Sequence, residues 1–378
     1  MSGEPPLILH VIHHLVIGGM ENGLVNLINS IPASKFRHAI ACVEDYSDFR
    51  RRIARDDVEV FALNRSRVGL WAMRRELYRL CRRMRPQIVH TRGMSGLDAL
   101  LPSRLAGTPS HVHGEHGWDV HDLHGSSSKP IWLRRLHSPL IDRYITVSNH
   151  LQRYLIERVG VRPSRITQIY NGVDTARFVP GSGKPTNALP AGFADGDSIV
   201  VGTVGRLQLV KDQATLIRAF ARLAARPSGA RLRLVIVGGG PLSSQLQALV
   251  AELGIQKQTW FPGALADVRP VMQCFDVFVL SSLSEGISNT ILEAMATGLP
   301  VVATAVGGNL ELVTDRCTGR FFEPGDVAQL VNLLDEYATN APQRREHAGL
   351  ARKRAEEVFG LPVMVENYQR VYEELSDS

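Results

Sequence analysis

A chain of 378 residues, 44% hydrophobic and 21% charged, is long enough to bury two ordinary domain cores and too apolar to be disordered. Its four scattered cysteines form no C-x-x-C, which argues for a reducing compartment and excludes a disulfide frame or zinc ribbon. The net charge of +6 is uneven: residues 1–180 carry 25 Lys and Arg against 16 Asp and Glu, net +9, and the remainder is net −3.

The first half alternates short apolar strands with helical patterns. Strands are expected at residues 7–13, 38–43, 58–63, 87–91, 110–115, 143–148 and 165–169. Met1 to Pro6 carries no basic n-region and runs straight into the first strand, so it does not read as a secretory signal. Gly18-Gly19 falls at the turn between that strand and a helix expected over Glu21–Ile31, where glycines let backbone approach a ligand or simply make a turn. Arginines cluster at Arg50, Arg51, Arg52 and Arg55, and again along Arg74, Arg75, Arg79, Arg82, Arg83 and Arg85. The second group surrounds apolar Leu70, Trp71, Leu77, Leu80 and Cys81. A basic amphipathic helix of this kind fits an anionic membrane surface, and it equally fits a solvated arginine-rich face. A nucleic-acid partner is not expected, because no helix-turn-helix, finger or RNP-like signature accompanies the charge. No run of about 18 apolar residues is present to span a bilayer.

His111, His113, Glu115 and His116, with Asp119, His121, Asp122 and His124 beyond them, are the residue types that bind metals. Their spacing mixes strand with loop and contains no H-E-x-x-H, so no metal is expected there. A strand-end histidine reads better as a polar group of an active site.

Regular alternation of strand and helix implies an α/β architecture, a parallel sheet with helices on both faces. A polar stretch rich in Pro and Gly, Val179 to Asp197, interrupts it and is the best linker. A second alternating series starts at Ile199. Two doubly wound, Rossmann-like domains would place strand carboxyl ends in a central cleft. The expected boundaries are 1–180 for a first domain, 198–355 for a second and 356–378 for a final helix. Val363, Val365, Tyr368, Val371, Tyr372 and Leu375 offer that helix an apolar face.

In the second series, the strand ending at Gly205 is followed by Arg206 and Lys211, two cations at a helix start, placed to hold a diphosphate or simply a pair of surface cations. Val237-Gly238-Gly239-Gly240-Pro241 is no G-x-G-x-x-G and reads as a tight strand-to-helix turn or a weak phosphate loop. Glu285 and Glu293 then bracket the start of a helix expected from Ser288. The pattern puts Glu285 at the mouth of a site and Glu293 deeper, with helix N–H groups favouring anions between them. Such a pair suits a ligand with both hydroxyls and phosphates.

These motifs occur in order with Asn171-Gly172-Val173-Asp174, Phe261-Pro262-Gly263, Gly298-Leu299-Pro300 and Gly307-Gly308. Together they resemble the retaining family 4 glycosyltransferases of GT-B fold, and within them the sugar transferases of bacterial exopolysaccharide clusters linked to PEP-CTERM/exosortase systems. The resemblance implies a nucleotide-diphosphate sugar donor, a lipid-linked or saccharide acceptor, and no metal or other cofactor. It implies that Arg206 and Lys211 hold the diphosphate and that Glu293 binds the ribose. Glu285 would bind the sugar, together with Gly286, Ile287, Ser288, Asn289 and Thr290, with His116 also on the sugar and Gly19 near the donor phosphate. Ile287 departs from the family, where an aromatic residue is frequent, and Ser288 stands where Gly or Pro is frequent. Both departures bear on which sugar is used. The expected location is cytoplasmic, at the inner face of the membrane if the arginine stripe makes contact. Two rival readings are a GT-B nucleotide-sugar epimerase and an inactive binding module. The sequence leaves the donor base, sugar, acceptor, linkage and oligomeric state open.

Overall fold

The computed structural model describes residues 4–117, 125–181 and 188–376, and the chain divides into two compact units. The first comprises Met1–Gly172 and Leu361–Ser378, the second Val173–Gly360.

In the first unit β1 (Leu7–Ile12), α1 (Gly19–Ser30), β2 (Arg37–Cys42), β3 (Glu59–Ala62), α2 (Arg65–Val68), α3 (Leu70–Met84) and β4 (Ile88–Arg92) come first. They are followed by α4 (Gly93–Gly96), α5 (Leu100–Leu105), β5 (Ser110–Glu115), α6 (Ser128–His137), β6 (Arg143–Thr146), α7 (Asn149–Tyr154) and β7 (Ile166–Gln168). Among the described residues the strands form one parallel sheet in the order β3-β2-β1-β4-β5-β6-β7. Every residue of β1, β4 and β5 is buried, as expected for strands covered on both faces. The two-residue period sorts them. Leu7, Leu9 and Val11 face Met73, Leu77, Leu80 and Cys81 of α3. Ile8, Ile88 and Val112 face α1 and the final helix of the chain, Leu361–Ser376, through Met364, Val365, Tyr368, Val371 and Tyr372. The first helix starts at Gly19, two residues earlier than expected at Glu21: its first intrahelical bond runs from Asn22 N–H to the Gly18 carbonyl at 2.9 Å.

The second unit contains β8 (Ile199–Val204), α8 (Gln213–Ala224), β9 (Leu232–Val237), α9 (Ser243–Glu252), β10 (Thr259–Gly263), α10 (Arg269–Met272) and β11 (Val277–Leu280). It continues through α11 (Asn289–Ala296), β12 (Val301–Thr304), α12 (Asn309–Leu312), β13 (Gly319–Phe322), α13 (Val327–Thr339) and α14 (Ala341–Phe359). The sheet is parallel with order β10-β9-β8-β11-β12-β13, so the winding direction reverses between β8 and β11. Leu216, Ile217, Phe220 and Leu223 of α8 and Leu330, Leu334 and Tyr337 of α13 close one face over Val201, Leu234 and Ile236. Among the described residues no helix is long and apolar enough to cross a membrane.

Candidate active site

In an open α/β sheet the crevice outside the strand carboxyl ends, where the winding reverses, is the natural ligand site. In the second unit that position lies after β8 and β11, and the loops that carry Lys211 and Glu285 meet there. Backbone contacts fix the two loops against one another: Ser281 Oγ donates to the Lys211 carbonyl at 3.0 Å, and Leu283 N–H to the Val210 carbonyl at 2.8 Å. Lys211 ends a short 3₁₀ turn, Leu209–Lys211, ahead of α8 and not within it, because the Asp212 side chain caps the helix by accepting from Thr215 N–H at 3.3 Å.

The Lys211 ammonium donates to Glu285 Oε1 at 2.5 Å, and the Ser282 hydroxyl donates to the same oxygen at 2.6 Å. Glu285 is 8% exposed, whereas Glu293, in the second turn of α11, is half-buried. The expected order of depth is therefore reversed. A carboxylate can be buried when charge-assisted bonds replace its hydration, and Glu285 has the two donors that make this possible. Arg206 is exposed, and its guanidinium has no partner among the described residues. Its carbonyl is held by Gln213 Nε2 at 3.1 Å. At the start of α11, Ser288 Oγ accepts from Ile291 N–H at 3.3 Å. The preceding Gly286 and Ile287 are buried, and Asn289 and Thr290 lie half-buried on the first turn.

Two glycines make this geometry sterically possible. Gly307 sits at φ +48°, and a Cβ there would lie 1.9 Å from the Glu285 carbonyl oxygen. Gly238 sits at φ +145°, where a Cβ would lie 1.9 Å from the Gly205 carbonyl oxygen. The glycine run after β9 thus lets backbone pack on backbone beside Arg206, which explains it as a tight turn.

Gly19 and His116 belong to the first unit, Gly19 as the first residue of α1 and His116 just past β5. Both ring nitrogens of His116 are buried without a hydrogen bond among the described residues. Burial, reinforced by the nearby Arg92 guanidinium, lowers its pKa from 6.5 to about 3. His116 is therefore neutral at pH 7, able to donate at one nitrogen and accept at the other, but not to act as a cation.

The neighbouring histidines each engage one ring nitrogen. His111 Nε2 is 2.8 Å from Ser103 Oγ, and His113 Nδ1 is 2.8 Å from Thr91 Oγ1. Glu115 is engaged by Arg134 through two bonds of 2.6 and 2.9 Å. Burial alone would raise the Glu115 pKa, but Arg134 and His113 hold it well below the usual carboxylate range. Among the described residues no group of three His, Cys, Asp or Glu could hold a metal ion. Trp118, Asp119, His121, Asp122 and His124 lie outside those residues. Sequence reasoning missed Ser282 and the direct Lys211–Glu285 bond. It also missed a polar layer in the first unit, where Arg92, 2% exposed, reaches His10 Nδ1 at 3.0 Å and His90 Nδ1 at 3.3 Å.

Two doubly wound units, one with an arginine, a lysine and a helix start converging at its switch point, define a GT-B protein with a nucleotide-sugar-binding fold. Residues 17–177 match the family described as Glycosyltransferase Family 4, and residues 187–354 match Glycosyl transferases group 1. The UDP-Gal:alpha-D-GlcNAc-diphosphoundecaprenol alpha-1,3-galactosyltransferase of Escherichia coli is 30% identical over 262 residues, 68% of each chain. Putative glycosyltransferase EpsF of Bacillus subtilis is 26% identical over 332 residues, 83% of this chain and 84% of its own. The crystal structure of Anabaena HepE with UDP-glucose shares the fold with a TM-score of 0.83 at 23% identity, covering 98% of this chain and 100% of that one. The chain belongs to the family 4 glycosyltransferases, and it is a glycosyltransferase.

Proposed function

We propose that the protein moves a sugar from a UDP-sugar to a saccharide carried on a polyprenyl diphosphate, with retention at the anomeric carbon and without a metal ion. The observation that carries this reading is the convergence of Arg206, Lys211, Glu285 and the start of α11 at one switch point. UDP is favoured by the neighbour solved with UDP-glucose, and a lipid diphosphate acceptor by the acceptor named for the Escherichia coli relative. The epimerase and inactive-module readings draw no support from these relatives.

In this reaction the bond from the anomeric carbon to the β-phosphate oxygen breaks while an acceptor hydroxyl attacks the same face. The proton of that hydroxyl passes to the departing diphosphate, whose charge grows as the sugar becomes cationic. Arg206, Lys211 and the α11 amides are the preorganised donors for that charge; one such donor is typically worth roughly 10²–10³ in rate. Glu293 accepts from the ribose hydroxyls. Glu285 and the Gly286–Thr290 segment bind the sugar.

Contact with an anionic membrane would bring the lipid acceptor within reach. On α3, Trp71 is 79% exposed, while Met73, Leu77, Leu80 and Cys81 are buried and Arg75, Arg79, Arg82 and Arg83 face solvent. That arrangement supports peripheral binding through the arginines and the indole. A panel of UDP, GDP, ADP and TDP in a thermal-shift assay tests the donor: the account expects UDP to raise the midpoint most. Equal, null shifts with all four would reject a nucleotide-sugar donor.

A further inference from the structure

Glu285 uses its two oxygens differently. Oε1 takes both the Lys211 ammonium, at 2.5 Å, and the Ser282 hydroxyl, at 2.6 Å. Oε2 takes no bond among the described residues. The scaffold behind this arrangement is itself tied down: Thr304 Oγ1 donates to the Ser282 carbonyl at 2.6 Å, and Asn309 Nδ2 to the Thr304 carbonyl at 3.1 Å. The two cations of the site are therefore unlike. Arg206 has no bond to give up, while Lys211 is already neutralised by a buried carboxylate.

We propose that Lys211 is a switched cation: Glu285 Oε1 holds it at first, and it passes to the diphosphate as leaving-group charge develops. Ser282 is the positioning residue that anchors Oε1 and leaves Oε2 for a donor hydroxyl. The proposal rests on the nucleotide-sugar transferase reading above. A lysine that must exchange one charge-assisted bond for another gains little from a resting diphosphate. It gains when the phosphate acquires further charge, and only interactions that strengthen in the transition state raise kcat. Arg206 loses nothing on binding, so it holds the resting diphosphate as well as the departing one, and its loss shows in donor KM as well as in rate. The Lys211–Glu285 bond also lets the diphosphate product leave, because the carboxylate reclaims the ammonium.

The test uses the full-length protein, the nucleoside diphosphate with the largest thermal shift, and the monophosphate of the same base. Lys211→Ala should lower kcat on the order of 10²-fold with donor KM within about threefold, while Arg206→Ala should raise donor KM and weaken diphosphate binding. Glu285→Gln removes the competing charge, so diphosphate should bind on the order of fivefold tighter while turnover falls, with monophosphate binding unchanged. Ser282→Ala should lower kcat without raising donor KM and should bind diphosphate at least as tightly as the parent. This readout survives even if Glu285→Gln does not fold. Diphosphate binding no tighter in Glu285→Gln, or Lys211→Ala losing as much diphosphate affinity as Arg206→Ala, would overturn the switch. If the parent binds none of the four nucleoside diphosphates, the donor reading falls with it; parent binding with unsplit variants overturns the switch alone.

Discussion

The first unit should lose stability steeply in mild acid, and the cause lies in its buried histidines. His10, His38, His90 and His111 are at most 1% exposed. Burial first, with Arg92 next for His10 and His90, lowers the pKa values of those two well below 6.5. Burial brings His38 and His111 to about 3. A second positive charge is poorly tolerated there because Arg92 bonds to His10 and His90 and to no carboxylate among the described residues. Since the folded pKa values lie below the unfolded ones, the unfolded chain binds more protons between about pH 6.5 and pH 3. The stability contributed by neutral imidazoles is thus full above about pH 6.5 and drains away as pH falls. Each histidine costs on the order of 1 kcal/mol between pH 7.5 and 5.5, so the four together cost several kcal/mol. That is comparable to the whole stability of many domains, about 5–15 kcal/mol. The second unit is the internal control, because Val173–Gly360 contains one histidine, His347. Hydrogen exchange read by peptide, corrected for the intrinsic pH dependence, should show protection in β1 and β4 falling far more than in β8 and β9. Parallel losses in both units, or a change below about 1 kcal/mol in β1 and β4, would refute this explanation.

Three further outcomes are expected. Glu293→Gln should weaken nucleotide binding by about 1.5–3 kcal/mol in calorimetry, since a charged acceptor for the ribose is lost; unchanged affinity would remove that role. Activity should persist in excess EDTA if side chains and not an ion hold the diphosphate, as proposed, and a complete loss restored by Mg²⁺ or Mn²⁺ would reverse that assignment. The protein should cosediment with anionic but not neutral vesicles and be released by high salt, each basic residue near the surface contributing about 1 kcal/mol. Replacing Arg75, Arg79, Arg82 and Arg83 with Gln should abolish this without altering nucleotide affinity. Binding that ignores lipid charge would leave the α3 arginines as a solvated face.

Alternation of apolar strands with helices made the two sheets legible, because strands covered on both faces must be almost wholly apolar. β1, Leu7–Ile12, and β8, Ile199–Val204, were readable almost to the residue for that reason. Residues close in sequence were also legible: Ser288 as the start of α11, and Glu293 in its second turn. What escaped was pairing across long separations. Lys211 and Glu285 are 74 positions apart, and periodicity carries no information on which charge neutralises which. Their bond also explains why Glu285 is deeper than Glu293. His10, His38, His90 and Arg92 were hidden for a related reason. They occupy core positions of strands, and the groups that make their burial tolerable include Tyr368 and Tyr372, far along the chain. In the run His111–Glu115, one nitrogen of each histidine and the Glu115 carboxylate engage Ser103, Thr91 and Arg134, partners that sequence spacing does not show.

The central claim is transfer with retention from a nucleotide-diphosphate sugar, and one reaction tests it. The protein, a UDP-sugar and a polyprenyl-diphosphate saccharide are incubated in EDTA, and the product is followed by NMR at its new anomeric carbon. The account predicts UDP release that requires both substrates, and a new linkage of the same anomeric configuration as the donor. Interconversion of the UDP-sugar without acceptor, or a linkage of inverted configuration, would contradict it.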